Sequence, residues 1–363
     1  MKIINNFFNY FFIGFSYLAS KKVIVLLILG LFIQLLNTTY AYQEEILNYQ
    51  EEIYSYEVEN IKNKSREEIK VYNNNNETID KTTALKEKIS CYKKNISSDE
   101  LPQNILEKIK KLNELYKSDI NHFAFVYKDI QTGFTISYNE SSPIFTASTI
   151  KAPAVIYLYE KVSKKEIDLE EKLTYTSNFY NGGSGILQNK EPNTKYTVKE
   201  LLEYTIHHSD NIAYAMLMNR YNREDMYNFW NKLGTEHIFK YNTIWGYTSA
   251  KDATIYMEEL YRFYLDNKEY GSVLMDLFKN SGWKMIATKD GKYNTASKGG
   301  WSEESFHDAA IVFEKNPYIL TIMSKTGESN YNYLFTTTNK LVGELHEEYW
   351  QHKESICEKI KQY

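Results

Sequence analysis

From Leu101 to the C-terminus the apolar residues recur with two alternating periods, and the order of those periods restricts the fold more than any single residue does. Ile105, Ile109, Leu112 and Leu115 stand three or four apart within Asn104–Tyr116, one stripe of a helix. Phe123–Tyr127 and Thr135–Tyr138 follow as two strand-like runs joined through Gln131-Thr132-Gly133, which reads as a hairpin. A long helical middle comes next. Three further strand-like runs, Asn294–Trp301, Asp308–Phe313 and Tyr318–Met323, then precede a helix through Leu341 and Leu345. Helix, two strands, helical insert, three strands, helix is an α+β order. It predicts one antiparallel five-stranded sheet flanked by helices, with the insert as an all-helical subdomain. By size, residues 101–363 form one domain.

The residues before this pattern are of another kind. Val23–Leu36 is a 14-residue apolar run broken only by Gly30 and Gln34, and Lys21-Lys22 precedes it. A spanning helix needs about 20 residues, whereas a signal-peptide core needs roughly 7–15. Lysines before the run and none soon after it send the rest of the chain outward. Residues 1–41 are therefore expected to be a signal or membrane-anchor region, with Thr39-Tyr40-Ala41 a poor cleavage site. The protein is expected to be exported, either secreted or anchored at the outer face of the cell membrane through this segment. Residues 42–100 are charged, carry Asn73–Asn76 and contain neither Gly nor Pro. Ile46, Tyr49, Ile53 and Tyr56 form a short helical seam there, so a partly helical stalk is expected.

Composition removes several functions. With 43 Lys+Arg against 47 Asp+Glu the net charge is −4, without the basic excess of a nucleic-acid-binding domain. Cys91 and Cys357 are too few for a disulfide scaffold or a Cys-rich metal module. The seven histidines contain no His-x-x-x-His pair; His207-His208 reads as a surface pair. No glycine-rich phosphate loop follows a strand. Neither metal nor cofactor is expected, no nucleic acid, and a monomer.

Two motifs inside the domain carry chemistry. In Phe145-Thr146-Ala147-Ser148-Thr149-Ile150-Lys151 a serine opens a helix, and a lysine lies one turn on along the same face, within reach of the hydroxyl. A serine hydroxyl is a weak nucleophile until a base takes its proton. A lysine that is desolvated and crowded by another cation can be that base. Alone the pattern is weak: Ser90-Cys91-Tyr92-Lys93 fits it too, and Ser148 by itself reads first as a helix cap. Ser209-Asp210-Asn211 follows the helical stretch Val198–Ile206 and opens another helix. Its hydroxyl can relay a proton and its amide can hold a substrate carbonyl, although Ser-Asp-Asn is also good N-cap chemistry.

In that order, and 61 residues apart, Ser148-x-x-Lys151 and Ser209-Asp210-Asn211 resemble the serine β-lactamase and penicillin-binding-protein superfamily. Gly182-Gly183-Ser184-Gly185-Ile186-Leu187-Gln188 is similar to the Gly-Ser-Gly-x-Leu-Gln segment of class A β-lactamases. The resemblance covers roughly Leu101–Trp350. It implies Ser148 as nucleophile, Lys151 as base, Ser209 as proton relay, and Asn211 as a substrate anchor. The family's third motif, Lys-Thr/Ser-Gly on a cleft-edge strand, has two candidates. Lys325-Thr326-Gly327 has the letters, but only Lys298-Gly299-Gly300-Trp301 is followed by two further strands and a helix. Lys298 and Gly300 are therefore assigned to substrate binding, with Lys298 meeting a substrate carboxylate. By resemblance, the N–H groups of Ser148 and Trp301 form the oxyanion hole. Gly299 stands where the family carries a hydroxyl.

The class A Ω-loop is also altered. From Gly234 to Thr248 is 14 residues, shorter than usual by about a dozen. The glutamate-x-x-Leu-Asn signature is absent, and Glu236 is the only carboxylate in the interval. The resemblance thus implies acyl-enzyme attack on β-lactams with slow hydrolysis. The alternatives are a D,D-peptidase acting on peptidoglycan stem peptides, which the short loop suits, and a non-turnover cell-wall peptide sensor, which Gly299 suits.

Overall fold

The computed structural model describes residues 90–117, 122–240, 243–325 and 331–359. The apolar run Val23–Leu36 and the stalk up to residue 89 lie outside them. Among the described residues, no helix is long and apolar enough to cross a membrane.

Helix α1 (Gln103–Lys117) leads into β1 (Phe123–Asp129) and β2 (Thr135–Tyr138). The two-residue strand β3 (Ile144–Phe145) then delivers the chain to α2 (Lys151–Ser163). A small ribbon of β4 (Lys172–Thr174) and β5 (Lys195–Thr197) precedes α3 (Val198–His207), α4 (Asn211–Arg220) and α5 (Arg223–Lys232). After β6 (Tyr247–Thr248) come α6 (Ala250–Asp266) and α7 (Gly271–Lys279), then β7 (Thr295–Ser302), β8 (Ser305–Val312), β9 (Tyr318–Ser324) and α8 (Tyr331–Lys359). Strands β2-β1-β9-β8-β7 form one antiparallel sheet, as the order of apolar runs requires.

Alternation along the strands divides the core in two. Phe123, Phe125 and Tyr127 of β1 and Tyr318, Leu320 and Ile322 of β9 face α1 and α8, packing on Ile105, Leu112, Val342 and Leu345. Ala124 and Val126 of β1 and Ile319 and Met323 of β9 face the helical subdomain. There α2 is buried continuously from Lys151 to Glu160, so this helix is buried on every side rather than along one stripe. Strand β8 starts at Ser305, three residues before the apolar run. The two-residue connection Glu303-Glu304 lets Ser302 pair with Ser305 and Trp301 with Phe306.

Residues 90–100, read from the sequence as the end of the stalk, pack on the domain. Cys91 is disulfide-bonded to Cys357, 266 residues away on α8. Lys353 donates to the carbonyl of Lys94, and Ile96 is buried against the α1/α8 core.

Candidate active site

Ser148 lies in a 3-10 turn (Ala147–Ile150) that runs directly into α2, half-buried. Ala147 enters that turn at φ 42°, in the left-handed region where a non-glycine residue costs of order 1–3 kcal/mol. The surroundings hold it there. Ile144 pairs with Thr248 and Phe145 with Tyr247, Thr146 N–H donates to Gly246 O at 3.0 Å, and Thr149 N–H donates back to Thr146 O at 3.1 Å. Pro153 is the third residue of α2, within its first turn, where proline is tolerated.

Lys151, the first residue of α2, has no exposed surface. Its Nζ is 3.0 Å from Ser148 Oγ, 2.7 Å from Asn211 Oδ1 and 3.2 Å from Ser209 Oγ, and it also bonds the Ser209 carbonyl. Asn211 Nδ2 donates to Gly182 O at 2.8 Å, which fixes Oδ1 as the atom facing the lysine. A neutral amine has two N–H bonds and one lone pair. The carbonyl of Ser209 and Oδ1 of Asn211 can only accept, so they take the two N–H bonds. In the neutral amine the lone pair is then left for the Ser148 hydroxyl. Burial first, and the neighbouring Lys298 second, push the Lys151 pKa well below that of an ordinary lysine, against the pull of Asp210.

Asp210 builds the other wall. Its Oδ1 caps α4 through the N–H groups of Ile212 and Ala213, and its Oδ2 accepts from Ile186 and Leu187 at 2.7 and 2.8 Å. One carboxylate therefore ties the Gly182–Gln188 segment to the Ser-Asp-Asn turn. Gly185, at φ +110°, passes so close that a Cβ would meet Asp210 Cγ at 2.3 Å. Ser209 itself is at φ 49°, a second non-glycine residue held in the left-handed region beside the site.

The third wall is β7. Lys298 is buried, its Nζ 3.0 Å from Ser209 Oγ and 2.8 Å from Gly299 O. Burial lowers its pKa to about 8, with Asp308 opposing. Lys325 instead follows the last residue of β9 and donates its backbone N–H to His122 O; Thr326 and Gly327 lie outside the described residues. At Gly300 the strand touches the nucleophile's backbone: a Cβ would lie 2.6 Å from Ser148 N and 2.7 Å from Thr149 N. Ser302 and Ser305 flank a two-residue hairpin loop and form a hydrogen-bonded pair, so strict alternation makes Trp301–Phe306 a non-bonded one. The Trp301 N–H thus turns away from β8 toward the open edge of the sheet, and the residue is 59% exposed. Ser148, Lys151, Ser209, Asn211, Lys298 and Gly300 come together at one place, and Trp301 follows Gly300 on β7.

The sequence matches the family model described as the beta-lactamase enzyme family over residues 106–350. This chain belongs to the beta-lactamase enzyme family. No curated protein matches it. Among solved structures, its fold is similar to a point mutant of PBP-A in an acyl-enzyme complex with penicillin G, at 20% identity and TM-score 0.61, over 68% of this chain and 100% of that one. A β-lactamase from Chitinophaga pinensis matches at 17% identity and TM-score 0.57, over 68% of this chain and 98% of that one. Another, from Sphaerobacter thermophilus, matches at 14% and 0.55, over 69% and 96%.

Against the other members of the β-lactamase family whose motifs it shares, this chain departs at two places. Gly299 has no room for a hydroxyl residue, because a Cβ there would lie 2.0 Å from Cζ3 of Trp283. The loop between α5 and α6 is short, and its described residues are held by contacts of their own. Glu236 pairs with Lys251 at 2.7 Å, and its backbone N–H and that of His237 are held by Asp252. Trp245 turns toward the site, its ring centroid 5.4 Å from Lys151 Nζ and 5.5 Å from the Tyr214 ring. Tyr214 Oη donates to Ile244 O at 2.6 Å and fixes the loop in that position. Trp245, Trp283 and His307 escaped the motif reading. The signal for Trp245 was that it is the one tryptophan inside the shortened interval.

Proposed function

We propose that this protein is an exported serine hydrolase whose Ser148 opens β-lactam rings through an acyl-enzyme that is then hydrolysed slowly. The observation that carries this reading is the hydrogen bond of 3.0 Å between Ser148 Oγ and the Nζ of a fully buried lysine that also reaches the Ser209 carbonyl and Asn211 Oδ1. Neutral Lys151 removes the Ser148 proton as Oγ attacks the ring carbonyl carbon. The N–H groups of Ser148 and Trp301 take the charge that develops on the carbonyl oxygen; one such donor is worth roughly 10²–10³ in rate. The C–N bond breaks, the ring nitrogen receives the proton of Ser209, and Lys151 returns a proton to Ser209. Lys298 holds the substrate carboxylate, and Asn211 offers its second Nδ2 hydrogen to the substrate carbonyl. Slow release follows from Glu236 being paired with Lys251 and from the indole that stands over Lys151.

The disulfide from Cys91 to Cys357 supports export, since such bonds persist in oxidising compartments. A D,D-peptidase reading uses the same acyl-enzyme, formed from a stem peptide with loss of its last residue. The short loop, whose one carboxylate is paired with Lys251, suits it. Intact mass followed over time, on protein mixed with a penicillin, tests the assignment. The expected result is an adduct that forms, clears slowly while drug is consumed, and is absent on Ser148→Ala. An adduct on Ser148→Ala overturns the site; no adduct and no drug consumed on the unaltered protein overturn the β-lactam reading. Release of D-alanine from a stem-peptide mimic would favour the peptidase.

A further inference from the structure

His307 sits on β8 directly across from Gly300 of β7, without exposed surface. Both of its ring nitrogens are engaged. Nδ1 lies 3.1 Å from the backbone N–H of Ser324, the last residue of β9, and Nε2 lies 2.8 Å from the carbonyl oxygen of Phe145. A backbone N–H can only donate and a carbonyl can only accept, so the proton is on Nε2 and Nδ1 is bare. Phe145 ends β3, three residues before Ser148. The cross-strand pair Gly300–His307 therefore grips the nucleophile turn at two points, by hydrogen bond at Phe145 O and by backbone contact at Ser148 N. The next residue on β7 is Trp301, whose N–H faces the open edge.

We propose that His307 is a positioning residue for the oxyanion hole, fixing the N–H of Ser148 relative to that of Trp301 by holding the Phe145 carbonyl to the sheet. The proposal rests on the acyl-enzyme reading above. A histidine here does something that an apolar core residue could not. It satisfies a donor on β9 and an acceptor on β3 at once, and so ties the strand before the nucleophile to β8, the partner of the strand β7 that carries Trp301. Had its role been only to fill space, both backbone groups would need other partners in a region closed to water.

The test uses the full-length protein and penicillin G labelled with ¹³C at the ring carbonyl, with His307→Phe, His307→Asn and His307→Gln. Acylation rate and pre-covalent affinity are read by rapid mixing, and the acyl ester carbonyl is read by infrared difference spectroscopy. Hydrogen bonds from an oxyanion hole lower that stretching frequency. In His307→Phe the band is expected to move to higher wavenumber and broaden. Acylation should slow by at least about tenfold, part of what the loss of one donor costs, and pre-covalent affinity should stay unchanged. Gln retains a donor long enough for Phe145 O and should recover the band; Asn is too short and should not. If His307→Phe does not fold, Asn against Gln decides. An unshifted band with unaltered acylation in the variants, alongside a lowered melting temperature, would reduce His307 to core support and overturn the proposal. No ester band on the unaltered protein would instead overturn the acyl-enzyme reading, and the proposal with it.

Discussion

Lys151 and Lys298 converge on one hydroxyl, their Nζ atoms 3.2 Å and 3.0 Å from Ser209 Oγ. Two amines so placed repel if both carry protons, and neither has water to share the charge. Burial lowers both pKa values, and the two amines divide by their neighbours: Lys298 lowers that of Lys151 further, whereas Asp308 pulls that of Lys298 back up.

That division has a sign that kinetics can read. Acylation should rise with pH as Lys151 loses its proton and fall again as Lys298 loses its own, at about pH 8. In Lys298→Ala the repelling cation is gone, so the Lys151 pKa rises. The ascending limb should move to higher pH and the descending limb should vanish. Stopped-flow acylation by a chromogenic cephalosporin across pH checks both limbs; an ascending limb that stays in place would mean that Lys298 does not set the state of Lys151.

The two glycines of β7 should respond oppositely to added bulk. Gly300→Ala sets a Cβ against the backbone of Ser148 and Thr149, which cannot move without moving the nucleophile. Acylation should fall by about 10² or more, the scale of losing one oxyanion donor, in a protein that still folds. Gly299→Thr meets the Trp283 ring instead, so it should cost stability, about 1–3 kcal/mol as overpacking does. It should not improve penicillin affinity unless Trp283 is also reduced to a smaller residue. Melting curves beside acylation rates separate the two effects.

Much of this was legible in the sequence because it depends on local order. The five strands announced themselves by alternation. Lys298 is set apart from the better-spelled Lys325 by the two strands and the helix that follow it, and it is Lys298 that reaches Ser209. What escaped depends on partners far apart in the chain. His307 meets Phe145 across 162 residues, and Trp283 fills the space behind Gly299 only because of how β7 is backed. Trp245 lies in a loop with no period to read. The pairing of Cys91 with Cys357 spans 266 residues; its only trace was a pair of cysteines in a chain that looked exported.

That disulfide closes a loop of nearly the whole domain, and long loops gain most in the chain-entropy account. Cys357→Ser should lower unfolding stability by about 2–4 kcal/mol. Cys91→Ser should match it, and a reductant should destabilise the unaltered protein but neither variant. Acylation rates should be unchanged, since Cys357 belongs to α8, on the sheet face away from Ser148. Denaturation with and without reductant checks the first point, and rapid mixing with a penicillin checks the second.

The loop makes the most direct statement about deacylation. Glu236 is half-exposed, its carboxylate held by Lys251 at 2.7 Å and its pKa lowered by that partner. It is ionised at neutral pH but bound away from Lys151 and Ser148, so Glu236→Gln should leave the clearance of a penicillin adduct unchanged. Trp245 should matter instead. Its ring covers Lys151, keeps water off the amine and contributes to the burial that depresses the Lys151 pKa. Trp245→Ala should therefore admit water, clear the adduct severalfold faster, and move the ascending limb of acylation to higher pH as Lys151 is resolvated. Intact mass over time, with acylation profiles of both variants, reads all three effects. Faster clearance in Trp245→Ala alone would locate the barrier to hydrolysis in the indole; slower clearance in Glu236→Gln would make the surface carboxylate the water activator after all.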